Sequence, residues 1–192
     1  KCSPRELYTQ LLNLGVKYFD FAPIYGFDTA EKTMGELISN ERNQIKLISK
    51  GGVDWHDNMR VNMDNSPKTI EKMLIKSLRN FKTDYIDIYF IHWPDKKIDI
   101  RYPLEVLAKM QEQDKLISIG LSNTNAEDFQ IASEVCEVEY VQSECNLFNQ
   151  SAFFPKNVRS MGWGTFDKGI LASTVTKERR FSDEDARSHA FW

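Results

Sequence analysis

The sequence predicts a parallel α/β fold, and three observations carry that prediction. The run Asp84-Tyr-Ile-Asp-Ile-Tyr-Phe-Ile-His-Trp-Pro-Asp95 is nearly continuous in β-branched and aromatic residues. It lacks the polar alternation of a half-exposed strand and suits one covered by helices on both faces. Pro94 removes a ladder donor where that strand must stop. Shorter apolar runs alternate with helical periodicities along the rest of the chain, as in successive βαβ units. Finally, polar residues recur at the carboxyl ends of these runs, the edge at which α/β folds bind ligands.

Taken in order, residues 4–14 read as a helix, with Ser3 as cap, Pro4 in the first turn, Leu7, Leu11, Leu12 and Leu14 near one stripe, and Gly15 as the stop. Residues 16–21 form a short apolar strand running into Asp20-Phe21-Ala22-Pro23-Ile24-Tyr25-Gly26, and residues 29–38 a second helix. The strand at 45–50 is stopped by Gly51-Gly52. Residues 53–66, polar and aperiodic with Trp55 and His56, suggest a long loop over the ligand-binding edge. Ser66-Pro67 opens a helix with Ile70, Met73, Leu74, Ser77, Leu78 and Phe81 at helical spacing, which feeds the strand ending at His92. A helix at 103–113, a strand at 116–121, a helix at 126–135 and a strand at 139–142 follow. Residues 153–161 read as poorly periodic and partly helical, residues 162–166 as a sixth strand, and residues 174–192 as a charged aperiodic tail.

At 192 residues the chain suits one domain over 1–192, short of the roughly 250 residues of a complete eight-unit barrel. Hydrophobic and charged fractions of 41% and 28% are those of a soluble globular protein. No apolar run approaches the roughly 18 residues of a membrane span, and the start lacks the apolar stretch of a signal peptide. A net charge of −3 gives no general attraction to nucleic acid or anionic membrane. Cys2, Cys136 and Cys145 have no metal-ligand spacing and read as reduced thiols in a cytoplasmic protein.

The strand ends supply Asp20 and Tyr25, Lys50, His92, Ser122 and Asn123, and Gln142, one set from each of five consecutive strands. Singly, each has a structural reading: a helix cap for Asp20, a loop aromatic for Tyr25, a solvated strand end for Lys50, a hydrogen-bonded core histidine for His92, turn formers for Ser122 and Asn123. Together they converge on one mouth when the strands are laid side by side. A tyrosine with a pKa near 10 is a poor proton donor at pH 7, and a neighbouring ammonium lowers that value. Lys50 supplies the ammonium, Asp20 holds it, and His92 is placed to donate a hydrogen bond to a carbonyl oxygen gaining negative charge.

With these motifs the sequence resembles the aldo-keto reductase superfamily. The resemblance rests on Phe19-Asp-Phe-Ala-Pro-Ile-Tyr-Gly26, Ile48-Ser-Lys50, the run 84–94, Gly120-Leu-Ser-Asn123 and Gln142-Ser-Glu-Cys-Asn146, in the family's order and spacing across residues 5–190. It implies a (β/α)8 TIM-type barrel of which this chain supplies strands two to seven, so that the barrel is incomplete at both ends. It also implies reduction of an aldehyde or ketone to an alcohol, with Asp20, Tyr25, Lys50 and His92 as catalytic residues and Tyr25 as general acid. Ser122, Asn123 and Gln142 take the places that hold a nicotinamide carboxamide. Trp163 takes the aromatic place stacked on the nicotinamide, and the run from it brings Phe166 and Lys168 to the cofactor; Gly164 and Thr165 replace a serine and a proline there.

The implied cofactor is NADPH, with NADH as the alternative, and the implied partner is a small carbonyl compound walled by Ile24, Trp55 and Trp93. Neither nucleic acid nor membrane is implied, and an oligomer stays open. A rival within the same barrel is a non-catalytic cofactor-sensing or scaffolding protein. A remoter one uses Lys50 as a Schiff-base amine or Asp20, His56 and His92 as metal ligands, without any recognised ligand spacing.

Overall fold

The computed structural model describes residues 2–38, 41–55, 61–150, 152–173, 175–176, 178–183, 185 and 188. Helix α1 (Pro4–Asn13) begins with a capping box: Ser3 Oγ accepts from the Glu6 amide, Glu6 accepts from the Ser3 amide at 2.7 Å, and Pro4 fills the first turn, where no amide is needed. Strand β1 (Tyr18–Asp20), helix α2 (Thr29–Leu37), strand β2 (Lys46–Gly51), helix α3 (Pro67–Phe81) and strand β5 (Ile86–Ile91) follow, with strands β3 (Val53–Trp55) and β4 (Val61–Met63) between β2 and α3. Helix α4 (Arg101–Glu112), strand β6 (Leu116–Ser122), helix α5 (Ala126–Ser133) and strands β7 (Tyr140–Glu144) and β8 (Arg159–Trp163) complete the regular elements.

Three expectations are corrected. The segment expected as a loop over 53–66 is in part an antiparallel hairpin, β3 pairing with β4 with Val53 opposite Met63 and Trp55 opposite Val61. Alternation of Val53, Trp55, Val61 and Met63 with Asp54 and Asn62 was the overlooked period-two signal. His56 lies outside the described residues. No helix forms among the described residues of 153–161, where Pro155 lacks an amide and Asn157 sits at φ +66°. The sixth strand of the main sheet runs over Arg159–Trp163 rather than 162–166, because Gly164 at φ +66° turns the chain and Asp167 and Lys168 keep it in left-handed backbone.

The main sheet is parallel throughout, in the order β1-β2-β5-β6-β7-β8. Gln142 Nε2, on the fifth strand of that order, donates to Asp20 Oδ2 on the first at 2.7 Å. Flat neighbouring strands lie about 4.8 Å apart, so first and fifth would be roughly 19 Å apart. The sheet is therefore curled, as in part of a barrel, and the bond crosses its concave side. Side-chain alternation then separates two apolar clusters. Leu47, Tyr89, Ile91, Ile119, Leu121 and Val141 pack against the helices, while Ile48, Ile88, Phe90, Tyr140 and Met161 fill the concave interior. Gly120 makes room for the interior Phe90 ring, since a Cβ there would lie 2.4 Å from Phe90 Cε1. Outside the sheet, α2 crosses α3 so closely that a Cβ on Gly35 would meet the Asn80 carbonyl at 2.2 Å.

Among the described residues, β1 pairs only with β2 and β8 only with β7, leaving both outer edges unpaired. Unpaired strand edges template association. The 192-residue chain by itself is thus expected to self-associate at micromolar concentration, as read by sedimentation velocity. A sharp cooperative melt from a dilute monomer would contradict this.

Candidate active site

The interior cluster of the sheet is capped, toward the carboxyl ends of the strands, by polar side chains. Asp20 ends β1, and Lys50 stands next to the end of β2 with only 1% of its surface exposed. Lys50 Nζ is bonded to Asp20 Oδ1 and donates to the Phe21 carbonyl at 3.0 Å and to the Tyr25 hydroxyl at 3.4 Å. Tyr25 sits in a tight turn after β1, its amide bonded to the Ala22 carbonyl at 2.9 Å. His92 follows β5, its amide held by the Gly51 carbonyl at 2.8 Å, and its ring meets the Tyr25 ring edge-on with centroids 6.1 Å apart. Asp20, Tyr25, Lys50 and His92 are brought together as expected.

A second polar chain joins this cluster. Ser122 Oγ donates to Gln142 Oε1 at 3.3 Å, and the Asn123 side-chain amide donates to Ser122 Oγ and to the His92 carbonyl, both at 3.0 Å. Asn123 adopts φ +55°, a left-handed conformation that asparagine tolerates better than most residues. Trp163, half-buried at the end of β8, donates its indole N–H to Asn123 Oδ1 at 3.1 Å. That bond was not foreseen in the sequence. It anchors the indole on the amide array and removes Trp163 from the apolar core.

The other predicted residues have different surroundings. Ile24 is half-buried in the turn before Tyr25. Trp55 packs edge-on to Phe27 at 5.5 Å, with Lys76 Nζ 4.7 Å above its ring. Trp93 is 43% exposed and, like Asn123, lines two open cavities of about 370 and 630 Å³, neither of which reaches Tyr25 or His92. Phe166, 63% exposed, and Lys168, with Asp167 3.6 Å away, follow on the turn after β8.

Electrostatics correct one expectation. The Tyr25 pKa is not lowered by Lys50: burial, with the Asp20 charge adding, pushes it up to about 12. Although the residue is 42% exposed, its hydroxyl faces the desolvated Lys50 end of the cluster. The Lys50 charge is spent on Asp20, so the bonded pair offers the phenol little net positive charge. Burial lowers the Lys50 pKa, against the upward pull of Asp20. Burial and then the Lys50 charge lower that of His92 to about 4. At neutral pH the cluster therefore holds a protonated phenol and a neutral imidazole.

This arrangement suits delivery of a proton from Tyr25 and a hydrogen bond from His92 to one atom between them. No group of three or more His, Cys, Asp or Glu able to hold a metal occurs among the described residues, and no described helix is long and apolar enough to cross a membrane. The three cysteines are free, with burial pushing the Cys136 thiol up to about 11.

The model of the aldo/keto reductase family matches residues 3–190. The chain is 30% identical to aldo-keto reductase YhdN of Bacillus subtilis, over 96% of this chain and 58% of that protein. It is 23% identical to an NADH-specific methylglyoxal reductase of Escherichia coli, over 93% of this chain and 60% of that protein. Among solved structures, the glycerol dehydrogenase AKR11B4 of Gluconobacter oxydans superposes with a TM-score of 0.88 at 28% identity, covering 97% of this chain and 62% of that one. This chain thus spans about three fifths of the length of these relatives.

Proposed function

Because this chain belongs to the aldo/keto reductase family, we propose that it carries the catalytic part of a nicotinamide-dependent reductase converting an aldehyde or ketone to an alcohol. The observation that carries the reading is the hydrogen-bonded group of Asp20, Lys50 and Tyr25 at the strand ends, with the His92 ring packed edge-on against Tyr25. When bound, a nicotinamide dinucleotide would supply the hydride. Ser122, Asn123 and Gln142 would hold it: their amide and hydroxyl groups, of the kind that bind a carboxamide, form one hydrogen-bonded array, with Trp163 tied to its edge. NADPH is the cofactor proposed, NADH its alternative; relatives include one named for NADP(+) and one for NADH.

Within the proposed reaction Tyr25 holds its proton at Oη throughout the neutral range, because its pKa lies near 12. An oxygen gaining alkoxide character is a stronger base than a phenolate and takes that proton as charge develops. Neutral His92 keeps an imidazole N–H to orient and stabilise the same oxygen. Lys50, held by Asp20, donates to Oη at 3.4 Å and fixes the position of the phenol from which the proton leaves. Asp20 also holds Gln142, coupling the proton-donating residues to the amide array.

Titration of NADPH and NADH into the full-length protein, read by nicotinamide fluorescence, tests the reading together with cofactor oxidation in the presence of small aldehydes. Saturable binding with turnover is expected. Binding without turnover would favour a cofactor-sensing protein, and absence of both would reject the reductase.

Trp163 provides a finer test. An indole stacked on the ring favours its flat, cationic oxidised form by about 0.5 to 2 kcal/mol. Trp163→Ala is therefore expected to weaken NADP⁺ binding more than NADPH binding. Since Trp163 is only half-buried, its removal should cost less than the roughly 3 to 5 kcal/mol of a core tryptophan. Equal weakening of both forms with a large loss of stability would remove Trp163 from the site.

A further inference from the structure

Behind β2, on the side facing the helices, lies a second carboxyl group to which the reaction above gives no part. Glu31 of α2 has no exposed surface. Its Oε1 accepts from Ser49 Oγ at 2.6 Å and from Ser77 Oγ of α3 at 2.8 Å, and its Oε2 accepts from the Asn80 side-chain amide at 2.9 Å. An ionised carboxylate only accepts hydrogen bonds, and three donors converging on one carboxyl suit that form. Burial, with a smaller push from Asp28, raises the Glu31 pKa on balance, and these three hydrogen bonds oppose that rise.

A buried carboxylate is costly unless a positive charge answers it. Lys76, the cation on the neighbouring face of α3, is taken by Asp28 at 2.6 Å. Ser49 immediately precedes Lys50, and successive strand residues point to opposite faces. Glu31 thus grips the back of the strand whose front presents Lys50. The groups facing Lys50 are Asp20 from β1, Tyr25 from the turn after it, His92 from the end of β5 and, through its own strand, Glu31 from α2. Tyr89 of β5, on the Glu31 side, is fully buried; burial and then the Glu31 charge, against a smaller opposing pull from the Ser77 hydroxyl, hold its pKa well above the usual value, so it stays neutral.

We propose that Glu31 is a positioning residue: its carboxylate fixes the backbone that presents Lys50 and supplies, from behind the sheet, a second negative charge that keeps Lys50 an ammonium beside Asp20. This deepens the reductase reading and rests on it for the use to which Lys50 is put. Asp20 alone leaves burial ahead of attraction at Lys50, whose pKa is lowered on balance; Glu31 opposes that fall.

The test needs neither substrate nor cofactor, so its failure is distinct from an absence of reductase activity. Lysines carrying ¹³C at Cε are titrated by NMR in the full chain, with the Lys50 signal identified by its loss in Lys50→Met. A charge across one strand, on the order of 10 Å away at an effective dielectric of about 20, moves a pKa by about one unit. In Glu31→Gln the Lys50 midpoint is expected to fall by about that amount. Ser77→Ala removes a donor but no charge; it should lower the denaturant midpoint and leave the Lys50 titration unmoved. An unshifted Lys50 midpoint in Glu31→Gln would reduce Glu31 to a pin between helices and overturn the proposal. Should that variant not fold, the wild-type Glu31 carboxyl ¹³C shift decides: a carboxylate at pH 7 is expected, and a protonated acid overturns the proposal.

Discussion

Tyr25→Phe is expected to lower carbonyl reduction by about 10²- to 10⁴-fold while leaving cofactor binding close to unchanged. The loss corresponds to roughly 3 to 5.5 kcal/mol of transition-state stabilisation. Only the hydroxyl is removed, and it touches Lys50 Nζ at 3.4 Å rather than any group of the Ser122, Asn123 and Gln142 array. The ring stays in place against His92, so the fold should be undisturbed. With the phenol pKa near 12, wild-type reduction should also show no loss across neutral pH from ionisation of the proton donor. Single-turnover rates and cofactor titration on the full-length protein check both halves. A variant keeping more than about a tenth of the rate, with chemistry rate-limiting, would take the proton from some other group.

The second large effect lies at the opposite end of the strands and concerns the fold alone. Asp87, 3% exposed, accepts from Arg42 Nη2 at 2.7 Å, from Lys46 Nζ at 2.8 Å and from the Leu47 amide at 3.0 Å. Arg42 is itself largely buried and also serves the carbonyls of Ile45 and Tyr85 and the Thr83 hydroxyl. One carboxylate therefore ties β2, β5 and the segment before β2. Removing one member of such a pair leaves a buried charge unmatched, at about 3 to 5 kcal/mol. Lys46, with its side chain half exposed, adds little to that sum. Asp87→Ala should lower the urea midpoint accordingly and leave cofactor affinity of the folded fraction unchanged. A loss below about 1 kcal/mol would show that Arg42 finds other partners.

Much of this was legible in the sequence because the signals were strong and local. The run into His92 reads as a strand buried on both faces, as observed, and Ser-Pro openings marked α1 and α3 at their observed starts. The strand-end residues were legible because parallel strands must deliver their carboxyl ends to one edge. What escaped depends on the third dimension. The β3–β4 hairpin was masked by its polar residues, and the last strand was displaced because left-handed backbone at Gly164, Asp167 and Lys168 leaves no trace in periodicity. The Tyr25 pKa was misjudged in direction because neutralisation of Lys50 by Asp20 and the burial of the cluster are visible only in space. Glu31 was passed over although a carboxylate sits on the same face of α2 as Met34 and Gly35, both buried; that mismatch is a signal in itself.

The proposed hydride reduction with Tyr25 as proton donor is tested most directly by isotope transfer. The full-length protein is incubated with NADPH carrying deuterium at both hydrogens of the reactive nicotinamide carbon and with a reducible aldehyde, and the alcohol is analysed by mass spectrometry. One deuterium on the carbinol carbon of each product molecule, formed at least about a hundredfold more slowly by Tyr25→Phe, is the predicted result. An alcohol without deuterium, or equal rates for the two proteins, would contradict it.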